Sequence, residues 1–392
     1  MKKSRKTNVL LIYEQLIASV RLCGYEQLRY LELEGMIRFQ HGLDTEITAG
    51  QCQWADILVF VRSAAWLDYK IALENKKRGK LIVYVLDDDL LHLPAQYASS
   101  RYYGQASVRH RIWWFLKNSD VLASPSAYLL EKYKSCTGRA IRMEEPCLKN
   151  EISETNRQAA GIEDWTSRKL KIGFAGSIDR GGEAAQILQE ALVRFYKRHK
   201  NEVELEFMGI KPAFARNLGL ACIPYEEDYK AYQKKLLQRN WDIGLAPMPN
   251  TSFHRAKHYN KYMEYASIGC VGIYSKVMPY TQVIRSLENG ILCENTVQGW
   301  LDALEWCLHH PKECAKIRKN LEQDMERRFS IAAVSCQFVG QLPELSDYRA
   351  RQSRACAIWA YRITGMLVRG IEFLLRYKGS VFKKLAEKIR AG

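Results

Sequence analysis

KHYNKYMEYASIGCVGIYS, residues 257–275, carries the clearest change from helix to strand in the chain. Tyr259, Met263 and Ala266 recur at helical spacing, and Gly269 follows at the position where a residue with positive φ ends a helix. The apolar run 271–274 is typical of a buried strand. The stretch therefore predicts a helix, a glycine stop and a short strand.

The same stretch holds three charged side chains at a regular spacing. Lys257 and Lys261 are four residues apart, so on one helix they share a face, and Glu264 follows three residues later. Two cations and a carboxylate at the start of such a unit can hold a diphosphate and a ribose. The alternative is a surface helix in which Lys261 and Glu264 form an ordinary ion pair.

Strand-like and helix-like segments alternate on both sides of this stretch. Near-continuous apolar strands followed by helices predict parallel sheets covered on both faces. The predicted strands are 9–13, 36–39, 57–61, 81–86, 121–124, 171–175, 203–208, 243–246 and 291–293. The sequence thus predicts an α/β protein with two doubly wound, Rossmann-like halves in series and a cleft between them.

Length and composition set the expected domains and partners. A chain of 392 residues exceeds one typical domain, and its formal charge of +16 favours anionic partners. No zinc-finger, RNA-recognition or basic-zipper pattern favours nucleic acid. The eleven cysteines form no CxxC pair, which suits a reducing cytosol. The predicted domains are 1–150, a linker 151–168, 169–330, a return segment 331–350 and a tail 351–392.

The tail differs from the rest in charge and periodicity. Residues 351–392 contain ten Lys and Arg against two Glu, half of the net charge of the chain. Charged residues that include Arg362, Arg369 and Glu372 alternate with apolar ones at helical spacing. This pattern predicts a cationic amphipathic helix that binds an anionic membrane surface. The alternative is a helix that packs back on the first domain.

Two loops outside the opening stretch can carry chemistry. Residues 176–182 follow a strand and open a helix, so backbone amides and Arg180 can meet a phosphate there, although a plain tight turn also fits. Asp87, Asp88 and Asp89 follow the strand 81–86, and ligands of parallel sheets bind beyond the carboxyl ends of strands. These carboxylates could bind a metal, act as a base or contact sugar hydroxyls; the alternative is an N-cap with solvated charges.

Taken in order, the motifs resemble the donor domain of GT-B glycosyltransferases of group 1, the family 4-like type. The matching segments are WDIGLAPMP (241–249), the opening stretch with FHRA before it (253–275), MPY (278–280), VIRSLENGILCEN (283–295) and GW (299–300). In the first half, YVLDDDLLHLP (84–94) is similar to bacterial surface-polysaccharide members.

The resemblance implies transfer of a sugar from a UDP- or GDP-linked donor to a glycan or lipid-linked acceptor at the inner face of the plasma membrane. It implies no cofactor and no metal. Glu264 would bind the ribose and Lys257 and Lys261 the diphosphate. The remaining donor-side candidates are Gly176, Ser177, Arg180, Pro279, Tyr280 and Thr281.

On the acceptor side, the resemblance and the position of the aspartate run make Asp87, Asp88, Asp89 and His92 the catalytic candidates and Arg21 a further contact. One residue departs from the family pattern. Many members have a second glutamate eight positions before the ribose-binding one, where this chain has Ala256. A catalytically inactive GT-B-like subunit that binds a partner enzyme is therefore the alternative to an active transferase.

Overall fold

A computed structural model describes residues 5–148, 165, 167–176, 182–350 and 358–377. The chain divides into two compact units. The first unit comprises the described residues of Met1–Glu144 and Ser335–Gly392, and the second unit those of Glu145–Val334. Most of the predicted linker 151–168 lies outside the described residues.

The first unit is built on a parallel six-stranded sheet in the order β2-β1-β3-β4-β5-β6. Its central strands are buried on both faces, as expected of apolar runs covered by helices. The strands are β1 (Thr7–Tyr13), β2 (Ile37–Leu43), β3 (Ile57–Val61), β4 (Leu81–Val85), β5 (Val121–Ser124) and β6 (Ala140–Arg142).

Helices connect these strands, and local capping signals set several of their ends. Thr48 and Gln51 form a reciprocal capping box at one helix start, and Ser126 caps another. The helices are α1 (Ala18–Val20), α2 (Glu26–Leu33), α3 (Ala49–Trp54), α4 (Trp66–Lys77), α5 (Ser100–Tyr103), α6 (Ala106–Asn118) and α7 (Ala127–Tyr133), with a π-helical turn at Arg21–Tyr25 between α1 and α2.

The second unit repeats this architecture with the sheet order β12-β11-β10-β7-β8-β9. All of its strand pairs are parallel. The strands are β7 (Leu170–Ala175), β8 (Val203–Met208), β9 (Ala221–Ile223), β10 (Ile243–Ala246), β11 (Val271–Ser275) and β12 (Ile291–Cys293). Its helices are α8 (Gly182–His199), α9 (Ala213–Asn217), α10 (Tyr229–Leu237), α11 (Ser252–Arg255), α12 (Asn260–Ser267), α13 (Val297–His309) and α14 (Pro311–Asp324).

Strand order reverses between β7 and β10, which are neighbours although far apart in sequence. In an open parallel sheet, ligands bind outside the carboxyl ends of the strands at such a reversal. Helix α12 packs directly beside it. The ring of Tyr265 lies against the backbone of Gly244 in β10, and its hydroxyl donates to the Leu245 carbonyl at 2.7 Å. The reversal and α12 therefore define one edge of the second unit.

The opening stretch folds largely as its pattern predicts. Gly269 has a φ of 63° and follows the end of α12, and β11 begins two residues later. The helix begins at Asn260, however, so Lys257 lies in the segment between α11 and α12. The prediction that Lys257 and Lys261 share one helix face is therefore wrong, because only Lys261 is in the helix.

After the second unit the chain returns to the first one. Helix α15 (Ile331–Gln341) runs across the boundary, and Phe338, Leu342 and Leu345 join the core of the first unit. Thr7 at the start of β1 donates its hydroxyl to the Glu344 carbonyl at 3.2 Å. Of the predicted tail, the structure describes α16 (Ile358–Tyr377).

Helix α16 packs on the first unit. Glu372 accepts a hydrogen bond from Arg111 of α6 at 2.6 Å, and Arg369 pairs with Asp44 just after β2. Arg362 donates to the backbone carbonyl of Ile47 at 2.8 Å. Arg362, Arg369 and Glu372, which the sequence pattern places on the charged face of the tail helix, thus all contact the first unit. The alternative, a helix packed back on the first domain, describes α16.

Within the described ranges, no helix is long and apolar enough to cross a bilayer. The ten cysteines in those ranges are all free thiols.

Candidate functional site

In the second unit, the loop after β10 is held in place by its neighbours across the sheet. The Met248 N–H donates to Ser275 Oγ at 2.8 Å, and Ser275 donates to Asn295 at 2.5 Å. Asn295 in turn donates to the Met248 carbonyl at 2.8 Å. Ser275 ends β11 and Asn295 follows β12, so the ends of two neighbouring strands support this loop. The loop is followed by α11 and then by α12.

Glu264 on α12 forms a compact polar cluster with two residues. Its Oε2 accepts a hydrogen bond from the Tyr232 hydroxyl at 2.6 Å and pairs with Lys261. Lys261 is almost completely buried, and its ammonium group also lies 3.0 Å from the Tyr232 oxygen. Both contacts of the carboxylate use Oε2, and no described residue bonds to Oε1. The predicted Lys261–Glu264 ion pair is present, and one carboxylate oxygen remains available to a ligand.

Lys257 lies just before this cluster, over the ring of Phe253 at 4.6 Å from its centroid. Phe253 is buried, so it fixes the side from which the Lys257 stem approaches. Ala256 is fully buried. A glutamate in its place would need space and a charge partner in that core. The small alanine at this position therefore fits the packing of the segment.

The loop after β7 begins with Gly176, whose N–H donates to the Met208 carbonyl at 3.0 Å. Gly209 follows β8 with a φ of 84°, and a Cβ there would come within 2.2 Å of the Gly176 oxygen. The backbone after β7 and the backbone after β8 are therefore in close contact at Gly176 and Gly209. Ser177 and Arg180 lie outside the described residues.

The remaining donor-side candidates follow β11. Pro279 is preceded by a cis peptide bond, and Tyr280 is buried against Tyr274 with ring centroids 4.9 Å apart. Thr281 is exposed. Of the three, only Thr281 has an exposed side chain, whereas Tyr280 anchors the segment in the core.

In the first unit, a partly buried arginine pairs with two of the predicted aspartates. Arg62 follows β3, which pairs with β4, and its φ is 56°. Its guanidinium contacts the Asp87 carboxylate at 2.9 and 3.0 Å and the Asp88 carboxylate at 2.9 Å. Burial alone would lower the pKa of Arg62, but the charges of Asp87 and Asp88 outweigh it and raise that pKa well above its ordinary value. Asp87 and Asp88 are therefore ion-paired carboxylates.

Asp89 has different partners. It is buried and accepts hydrogen bonds from Lys132 at 2.5 Å, from the Tyr133 hydroxyl at 2.7 Å and from His92 Nδ1 at 3.0 Å. Burial would raise the pKa of Asp89, but these hydrogen bonds outweigh burial and lower it. Asp89 thus stays ionised and orients the His92 ring. The His92 side chain is 51% exposed, and no described residue contacts its Nε2.

Arg21 lies apart from these aspartates in the π-helical turn. It pairs with Glu26 at 3.0 Å and lies over the Tyr25 ring at 5.6 Å from its centroid. Tyr25 in turn packs edge-on against His41. The Nδ1 of His41 forms a hydrogen bond of 2.8 Å with the hydroxyl of Tyr13, at the end of β1. Arg21 therefore borders the carboxyl ends of β1 and β2 through an aromatic cluster.

Sequence reasoning missed four residues of these clusters: Arg62, Lys132, Tyr133 and Tyr232. Arg62 directly follows a predicted strand, as the aspartate run does, and that shared position was a usable signal. Nothing in the sequence marks the other three as partners of Asp89 or Glu264. Among the described residues, no group of three or more His, Cys, Asp or Glu side chains is arranged to hold a metal ion.

No family model and no curated protein matches the sequence. Solved structures do match. Alr3699/HepE of Anabaena, in complex with UDP and glucose, has a TM-score of 0.58 at 12% identity over 86% of this chain and all of its own. A glycosyltransferase from Rickettsia africae ESF-5 has a TM-score of 0.58 at 14% identity, covering 87% of this chain and 99% of its own.

Sucrose-phosphate synthase of Thermosynechococcus elongatus has a TM-score of 0.56 at 11% identity, covering 86% of this chain and 98% of its own. At such low identities, the likeness concerns the fold. The two parallel six-stranded sheets and their flanking helices agree with it. The chain therefore has the GT-B fold, with two α/β domains that each contain a parallel six-stranded sheet.

Proposed function

We propose that this chain is a glycosyltransferase that moves a hexose from a UDP- or GDP-linked donor to a glycan or lipid-linked acceptor in bacterial surface polysaccharide synthesis. The observation that carries the proposal is the Glu264–Lys261–Tyr232 cluster beside the β7–β10 reversal. This is the edge at which an open parallel sheet binds nucleotides. The neighbours in fold include proteins solved with UDP and UDP-glucose.

Glu264 offers Oε1 to the ribose hydroxyls while Oε2 stays bound to Tyr232 and Lys261. A carboxylate that accepts from two vicinal hydroxyls favours a ribonucleotide over a deoxyribonucleotide. Gly176 directly follows β7 and helix α8 begins at Gly182, and peptide N–H groups at a helix N-terminus attract phosphate. Together these groups account for recognition of a ribonucleoside diphosphate.

Bond cleavage between the sugar C1 and the phosphate oxygen leaves negative charge on the departing diphosphate. We assign Lys257, Lys261 and Arg180 to stabilise that charge, so that the reaction runs without a metal ion or another cofactor. Thr281 supplies a hydroxyl near the same group. The assignment of Lys257 and Lys261 rests on their place just before and at the start of α12, after the loop that follows β10, and that of Arg180 rests on the sequence alone.

In the first unit, we assign His92 to contact the acceptor hydroxyl. Asp89 fixes the imidazole through Nδ1, which leaves Nε2 to accept a hydrogen bond from that hydroxyl. Asp87 and Asp88 pair with the guanidinium of Arg62, whose backbone is left-handed, and Arg21 borders the same sheet edge. We further propose that the enzyme works at the inner face of the plasma membrane, because the predicted tail is strongly cationic.

The test is a panel of UDP- and GDP-sugars measured for binding by calorimetry and for turnover by release of the nucleoside diphosphate. Binding and turnover with at least one donor are expected. Lys257→Ala should weaken that binding, whereas the matched surface variant Lys276→Ala, which loses only an exposed pair with Glu294, should not. A chain that binds no donor contradicts the proposal.

Binding without turnover would favour the alternative, an inactive GT-B-like subunit that binds a partner enzyme. The buried Ala256, at the position where many family members have glutamate, is the observation in favour of that alternative.

A further inference from the structure

Three charged residues of helix α16, Arg362, Arg369 and Glu372, contact the first unit. Arg369 pairs with Asp44, which is completely buried, and Glu372 pairs with Arg111 at 2.6 Å. Gly365 allows close approach, since a Cβ there would lie 3.3 Å from Leu67 of α4. Two ion pairs and the close approach of Gly365 to Leu67 therefore hold one face of the helix against the first unit.

The opposite face of α16 consists of large apolar side chains. Each is between 48% and 69% exposed, and together they form one continuous stripe along the helix. We call this stripe the outward face: Ile363, Met366, Leu367, Ile371, Leu374 and Leu375. An amphipathic helix that packed for stability alone would present the opposite side to the protein. A stripe of this size marks a surface that contacts a partner or a membrane.

Charge in the flanking sequence indicates which occupant fits. Residues 378–392, which follow the helix directly, contain five Lys and Arg against one Glu, and Arg351 and Arg354 precede it. Cations at both ends of an apolar stripe match the anionic headgroups and hydrocarbon of a bilayer. A second copy of the chain would bring the same cationic segments together, and like charges oppose that contact.

We propose that the outward face of α16 inserts, parallel to the membrane plane, into the headgroup–hydrocarbon boundary of an anionic bilayer. The inward ion pairs keep the helix fixed to the first unit during insertion. Membrane binding is then hydrophobic insertion supported by charge, rather than adsorption of a free cationic face.

The position of α16 on the first unit also affects which acceptor the protein is expected to use. Asp44 directly follows β2, and Arg111 donates to the Ala64 carbonyl, which lies in the loop after β3. The helix therefore lies on the side of the sheet where the strands end, which is also the side of Asp89 and His92. This step rests on the proposed function: a bilayer held there favours an acceptor whose anchor is a lipid.

Flotation of the full chain with vesicles tests the insertion. Wild type should float with vesicles of phosphatidylglycerol and phosphatidylcholine. Replacing Ile363, Leu367 and Leu374 by Asn should lower the apparent partition coefficient at least tenfold. Leu33→Asn is the matched control because Leu33 is 69% exposed on the same unit, as Ile363 is. The control should bind like wild type, and circular dichroism should show all variants folded.

Three results would overturn the proposal. The triple variant could float as well as wild type, or 0.5 M NaCl could release wild type completely, which would indicate adsorption by charge alone. Sedimentation equilibrium could instead show a dimer that the triple variant abolishes, which would assign the outward face to a second copy. Failure of the glycosyltransferase proposal would appear separately, as lack of donor binding by a protein that still floats with vesicles.

Discussion

Substituting Glu264 by Gln tests the donor site with the least change in shape. In the structure, Oε2 of Glu264 is bound by Tyr232 and Lys261, and Oε1 is the oxygen assigned to ribose. Hydrogen bonds to charged groups contribute about 1.5–3 kcal/mol, and neutral ones about 0.5–1.5 kcal/mol. Exchange of the carboxylate for an amide should thus cost about 1–2 kcal/mol of donor binding, which is about a 5- to 30-fold rise in Kd.

Isothermal titration calorimetry with the nucleoside diphosphate measures this change, since it needs no acceptor. Glu288→Gln is the matched control because Glu288 also forms an i, i+3 pair with a cation, Arg285, but on the surface. Its Kd should equal that of wild type. Tyr232→Phe should raise the Kd less than Glu264→Gln does. If Glu264→Gln binds within twofold of wild type while it melts normally, Glu264 does not contact the nucleotide.

Three further predictions concern single residues. Arg62→Met leaves two carboxylates without their cation and should lower the free energy of unfolding by about 3 kcal/mol in urea titrations at pH 7.5. A loss below about 1 kcal/mol would contradict the ion pairs of Arg62 with Asp87 and Asp88. The pKa of Asp89 is lower in the folded protein than in the unfolded chain, so ionised Asp89 stabilises the fold above about pH 4, and this contribution is lost as the pH falls through the folded pKa. Asp89→Asn should therefore show a flatter decline in the free energy of unfolding between about pH 4 and pH 2.5. A decline as steep as that of wild type would refute this. Gly209→Ala forces a Cβ to within 2.2 Å of the Gly176 oxygen and should weaken donor binding in the same calorimetric assay. The control is Gly219→Ala, at a similar φ of 66° but with no atom within 4 Å, which should destabilise the chain without weakening donor binding.

Strand positions were predictable where an apolar run was short and bounded by polar residues. Ile57–Val61 and Ile243–Ala246 begin and end as predicted, because each is a run of buried residues with a clear break at both ends. Val203–Met208 also has its predicted bounds, and in it apolar residues alternate with Glu204 and Glu206. The edge strands Ala140–Arg142 and Ala221–Ile223 were not predicted. They have only three residues each, and pairing with a neighbouring strand, rather than local composition, makes them strands.

The candidate site was predictable only in its local part. Lys261 and Glu264 are three residues apart, so their pairing follows from helical spacing. Arg62 meets Asp87 from 25 residues away, and Tyr232 meets Glu264 from 32 residues away. These contacts depend on which strands are neighbours in the sheet, and that order cannot be derived from periodicity. The sequence pattern therefore predicted the carboxylates but not the groups that hold them.

Periodicity also cannot tell which face of an amphipathic helix turns inward, and α16 shows why this matters. The chain buries Arg111 with Glu372 and places Arg369, which stays partly exposed, on the buried Asp44, although desolvation offsets most of the attraction within buried pairs. Meanwhile six large apolar side chains remain in water, each of which would contribute about 1.5–3 kcal/mol if buried. Stability of the first unit alone would favour the reverse arrangement. The orientation makes physical sense if the apolar face is buried elsewhere, and an anionic bilayer supplies both the hydrocarbon for that face and the counter-charge for the cations that flank it.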